Sequence, residues 1–168
     1  MIWPNLCVDN FFQEPDKVVE YTNSLNFFKP EESNYPGKRT KFMHEIDPKF
    51  FEVTSLKILS LLYPNDHKNL KWNALQSFQK VPANLKHNGW VHTDVKNEYF
   101  KYNDPKSDLK IAKAKKENNS PFEETIRYNS RYNRLILFDG SNYHSSNIFN
   151  HDNNKEERLT LITFFNNV

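Results

Sequence analysis

The hydrophobic period of the chain changes near Lys71, and that change constrains the fold more than any other feature. Upstream, apolar residues recur at helical spacing; downstream, they fall into short runs that alternate or cluster as strands do. LCVDNFF reads as a short strand entering a helix that starts at Pro15, with Val18, Val19, Tyr21, Thr22 and Leu25 as its apolar stripe. YPGKRT at 35–40 is a Pro-Gly turn. Asp47 suits the cap and Pro48 the first position of a second helix. Its residues Phe50, Phe51, Val53, Leu56, Ile58, Leu59 and Leu62 run to Tyr63 before Pro64 stops it.

After Lys71, WNALQSFQKV predicts a half-buried strand and WVHTDV a second one. Residues 96–120 are polar and lysine-rich and predict one exposed helix. ETIRYN, NRLILFDG, SSNIF and RLTLITFFNN predict further strands. Helices first and strands afterwards argue for an α+β fold, mainly β in its C-terminal half, with an antiparallel sheet or barrel there. No repeat or linker divides the chain, so we expect one domain over 1–168, with 1–70 as helical support and 71–168 as the core.

Composition is compatible with that reading. Apolar residues make up 37%, but 14 Phe, 8 Tyr and 3 Trp bring large buried areas, so a folded domain is expected from 168 residues. The 23 basic and 21 acidic residues nearly cancel, which gives no general argument for a nucleic-acid or membrane partner. Cys7 is the single cysteine; it excludes an internal disulfide and fits a reducing compartment. No leader-like segment and no run of eighteen apolar residues is present, so a cytoplasmic location is expected.

Chemistry concentrates in four residues at three places. In GWVHTD, His92 and Asp94 are two apart and would share one face of a strand. His144 follows the Asp139-Gly140 turn that ends NRLILFDG. Arg158 opens RLTLITFF with Thr160 and Ile162 on its face, and a charge there should have an anionic partner. Taken singly, each has a plainer explanation: a hydrogen-bonded His–Asp pair, or an arginine paired with Glu156 or Glu157. Taken together, two histidines and a carboxylate match the facial triad of non-haem iron(II) oxygenases, which leaves three coordination positions open. An arginine fork beyond the distal histidine suits the far carboxylate of 2-oxoglutarate. A zinc hydrolase with the same ligands is chemically feasible but leaves Arg158 without a role. Phosphate-loop, nucleophile-elbow and H-E-x-x-H patterns are missing from the chain.

H-x-D, about fifty residues, His, then Arg fourteen later resembles the 2-oxoglutarate- and iron(II)-dependent oxygenase superfamily. More narrowly, the chain resembles a poorly characterised set of oxygenase-like proteins of bacteria and their viruses. VDNFFQEPDKVVEYTNSLNFF, YPGKRT, YNRLILFDGSNYHSS and RLTLITFF carry that likeness. The resemblance implies a double-stranded β-helix of the jelly-roll or cupin kind. It also implies a catalytic iron(II) held by His92, Asp94 and His144, and 2-oxoglutarate anchored by Arg158 with help from Thr160. The expected activity is dioxygen-dependent hydroxylation of a substrate that the sequence does not identify. One departure counts. Such relatives carry an apolar strand and a Gly-rich turn after H-x-D, whereas residues 95–119 here are polar and lack glycine. An abbreviated barrel is therefore expected, which favours as the alternative a non-catalytic binding or structural module, and its open edge could be completed in a homodimer.

Overall fold

Asp47 decides where the longest helix begins. Its carboxylate accepts the Phe50 amide at 2.9 Å, Pro48 takes the first helical position, and α3 runs Pro48–Leu62. Tyr63 closes it before Pro64, as the sequence indicates. In the computed structural model, the residues described are 4–30, 35–83, 85, 89, 91–94, 119–146 and 157–168. The other elements are β1 (Leu6–Val8), α1 (Pro15–Thr22), β2 (Lys38–Arg39), α2 (Met43–Ile46), β3 (Asn73–Val81), β4 (Leu135–Leu137) and β5 (Arg158–Asn167). The chain is thus α+β with two antiparallel sheets, β1-β4 and β2-β3-β5. Among the described residues neither sheet closes into a barrel, and no helix is long and apolar enough to cross a membrane.

Contacts divide the chain into two compact units, Met1–Pro15 with His87–Ile148, and Asp16–Lys86 with Phe149–Val168. The second unit contains β3 as the central strand. Phe78 and Leu161 face each other across β3 and β5, as do Gln76 and Thr163, and Arg158 stands opposite Val81. Gly37 makes the tight entry to β2: its φ of +74° is a conformation that glycine adopts freely, and any Cβ would collide with the Lys80 carbonyl.

Burial on β3 is denser than an alternating strand would show. Ala74, Gln76, Ser77, Phe78, Gln79 and Val81 are all buried. Gln76 is fully buried because its amide is matched: its nitrogen donates to the Thr163 hydroxyl at 3.0 Å and its oxygen lies 3.1 Å from the Thr54 hydroxyl of α3. The face of α3 turned inward consequently carries Thr54, Ser55, Ile58 and Leu59, while Val53 is exposed. Around Phe78, the rings of Tyr21 and Phe50 lie at 6.4 and 5.6 Å, and Tyr21 and Phe50 stack at 5.5 Å. Among the described residues Phe78 is the largest fully buried side chain. Truncation to Ala should cost about 3–5 kcal/mol. Val53→Ala should stay within ~0.5 kcal/mol. Urea unfolding of the two variants checks the contrast.

Tyr21 donates its hydroxyl proton to the second oxygen of Asp47 at 3.1 Å. Burial first, and this carboxylate second, push the phenol up to about 12 from an ordinary 10.0. A raised value means that the unfolded tyrosine ionises first, so this group's contribution to stability fades as pH climbs from 10 towards 12. Asp47→Asn keeps an acceptor for the cap but removes the charge. Absorbance titration, with Tyr21→Phe as the blank, should show the Tyr21 transition moving down but staying above 10, since burial is the larger cause.

Candidate metal centre

In the first unit β4 pairs with β1, Cys7 opposite Ile136, and then ends abruptly. The chain reverses at Asp139, whose carbonyl accepts the Asn142 amide at 2.9 Å. Two residues later comes His144. Opposite it lies His92, and the two exchange both backbone bonds, N–H to carbonyl, at 2.9 Å each way. The WVHTDV strand expected from the sequence is thereby reduced, among described residues, to one bridge. The Gly89 amide to the Ser146 carbonyl (2.7 Å) and the Asp94 amide to the Gly140 carbonyl (2.8 Å) extend it irregularly on either side.

Directly opposed residues of an antiparallel pair project to the same face. The rings of His92 and His144 accordingly meet, with centroids 4.4 Å apart. Asp94, two residues beyond His92, is 3.6 Å from the His92 Nε2 through one oxygen and 3.4 Å from the His144 Nε2 through the other. One ligand atom from each of the three residues lies within 4.8 Å of the others. Around an ion with bonds of about 2.1 Å, neighbouring donor atoms sit roughly 3 Å apart, so closing onto a metal needs small side-chain shifts. The donor set, two imidazole nitrogens and a carboxylate, is that of a non-haem iron or catalytic zinc centre. His144 is also oriented for it. Its Nδ1 is 2.9 Å from the Asn142 carbonyl, which can take the Nδ1 proton when Nε2 is given to a metal.

The centre is open to solvent: the His92 side chain is 52% exposed, and Asp94 and His144 keep 28% and 23%. Burial would raise the Asp94 carboxyl, but hydrogen bonds and charge from His144 and His92 outweigh it and hold the group well below the usual carboxylate range. Asp94 therefore stays anionic, as a ligand must. The Phe138 ring packs 4.6 Å from His144, and Phe122 and Tyr143 pair at 4.8 Å.

On the other edge of the His92 segment a side chain does the work of a strand. The Asn119 amide accepts from the Val91 N–H at 2.9 Å and donates to the Gly89 carbonyl at 3.2 Å. Sequence reading passed over Asn119, which carries no spacing signal. Asn119→Ala should remove about 1 kcal/mol per lost bond from local stability, and the Val91 amide should exchange roughly tenfold faster with solvent deuterium.

The structure brings His92, Asp94 and His144 together. Arg158 and Thr160 stand in β5 of the second unit, opposite Val81 and Gln79. Both are half-buried, and burial pushes the Arg158 guanidinium below its ordinary value. The lysine-rich helix expected at 96–120 lies outside the described residues except for its last two positions, and Trp90, His87 and His151 lie outside them altogether. ETIRYN forms no strand, and Arg127 pairs instead with Glu124 at 2.8 Å. Residues 90–165 match a family described as "Family of unknown function (DUF6445)", a span that contains His92, Asp94, His144, Arg158 and Thr160. No curated protein and no solved structure matches the chain.

Proposed function

We propose that the protein is a non-haem iron(II), 2-oxoglutarate-dependent dioxygenase that hydroxylates a substrate still to be identified, on an abbreviated double-stranded β-helix. The convergence of His92, Asp94 and His144 carries this reading. Three protein ligands on one side leave three positions for a bidentate co-substrate and dioxygen. The iron, when bound, supplies the dioxygen activation that couples decarboxylation of 2-oxoglutarate to hydroxylation. The chain's own residues have plainer tasks. With the ion bound, the Asn142 carbonyl would take the His144 Nδ1 proton, Asp94 would balance charge, and solvent exposure at His92 leaves room for incoming molecules. Arg158, assisted by Thr160, is assigned to the far carboxylate of 2-oxoglutarate on the strength of the sequence resemblance.

Anaerobic addition of iron(II) and 2-oxoglutarate should produce a weak visible charge-transfer band, and air should then convert 2-oxoglutarate to succinate. His144→Ala should abolish both. Arg158→Gln should raise the 2-oxoglutarate concentration needed by tenfold or more while leaving iron binding intact. Unchanged iron binding in His144→Ala would refute the ligand set. The polar composition of residues 95–119 favours a second reading, a binding or structural module with no turnover. Iron binding without succinate, across a broad substrate screen, would select it.

A further inference from the structure

One turn reaches two of the three candidate ligands. Its Asn142 carbonyl is 2.9 Å from the His144 Nδ1, and its Gly140 carbonyl accepts the Asp94 amide at 2.8 Å. Gly140 also makes room for the aspartate, since a Cβ there would stand 3.2 Å from the Asp94 Cβ and 3.7 Å from its Oδ2. Where these two carbonyls point depends on how residues 139–142 are folded. None of the four lies in a strand, so no ladder of backbone bonds holds them. What closes the turn, besides the Asn142 amide, is the Asp139 side chain: its Oδ1 accepts both the Ser141 amide (2.9 Å) and the Ser141 hydroxyl (2.7 Å).

We infer that Asp139 is a positioning residue of the centre. By pinning the turn, it holds the Asn142 carbonyl against the His144 Nδ1 and the Gly140 carbonyl against the Asp94 amide, which keeps both side chains beside the metal position. The role is geometric. Asn offers the same short acceptor and should serve as well, whereas Glu keeps the charge but is one carbon too long for this turn. The metal half of the inference rests on the function proposed above; the turn half stands without it.

Two readouts on the full chain separate these halves. Hydrogen–deuterium exchange of the Asp94 amide, which donates to the Gly140 carbonyl, reports the turn in metal-free protein. Cobalt(II) titration reports the centre. Wild type and Asp139→Asn should protect this amide equally. Asp139→Ala and Asp139→Glu should exchange it roughly tenfold faster and bind cobalt about ten- to a hundredfold more weakly. The inference is overturned if Asp139→Ala keeps both the protection and the affinity, or if Glu preserves them and Asn does not. If the protection follows the expected pattern while cobalt binds none of the proteins, the positioning role stands and the metal reading fails.

Discussion

The reciprocal pair of backbone bonds between His92 and His144 is the contact on which the candidate centre depends. Opposed residues of such a pair have their Cα atoms about 5.5 Å apart and their side chains on one face, so two imidazoles placed there must meet. Asp94 joins them because the period of an extended chain is two. No other arrangement of these three residues is needed to bring two nitrogens and a carboxylate to one point. Because the pairing is, among the described residues, a single bridge rather than a ladder, contacts outside the strands help to hold it.

Asparagine side chains bond backbone edges at two places in the first unit. Asn119 serves the edge of the His92 segment with one donor and one acceptor. Asn133, in a left-handed conformation at φ 55°, does the same for Phe12, accepting its amide at 2.7 Å and donating to its carbonyl at 2.8 Å. A carboxamide presents the same donor and acceptor as a peptide group, so it can pair with a backbone edge as a peptide group of a strand would. Arg134 adds a fork onto Asp9, and Arg131 reaches the same carboxylate at 3.2 Å. In the second unit the support is of another kind: a matched buried polar group, Gln76, set in an aromatic and aliphatic core.

What was legible in the sequence was local. The Asp47–Pro48 start and Pro64 stop of α3 depend on the first and last turns of one helix. The Asp139–Gly140 reversal after NRLILFDG depends on adjacent residues alone, and so does the equal phase of His92 and Asp94. The four-residue α2 was missed because it is too short to show a period. The inward face of α3 was not legible: hydrophobicity ranks Val53 above Thr54 and Ser55, whereas the buried partner facing that helix is a glutamine amide. ETIRYN has strand-forming residues but no partner strand among the described residues, and propensity without pairing does not make a strand.

The sequence by itself determined the α+β class, the ends of α3, the place of the long terminal strand and the identities of three residues able to bind a metal. Each follows from periodicity, capping or side-chain chemistry, which act over a few neighbours. Only the tertiary structure decided that His92 sits opposite His144 rather than one residue along, since a slip of one would send the rings to opposite faces. It also decided that Gln76 is buried, that the Asn119 side chain bonds the edge of the His92 segment, and that the turn at Asp139 addresses two candidate ligands at once. Those are pairings between residues far apart in the chain, and their free energies exist only once both partners are in place.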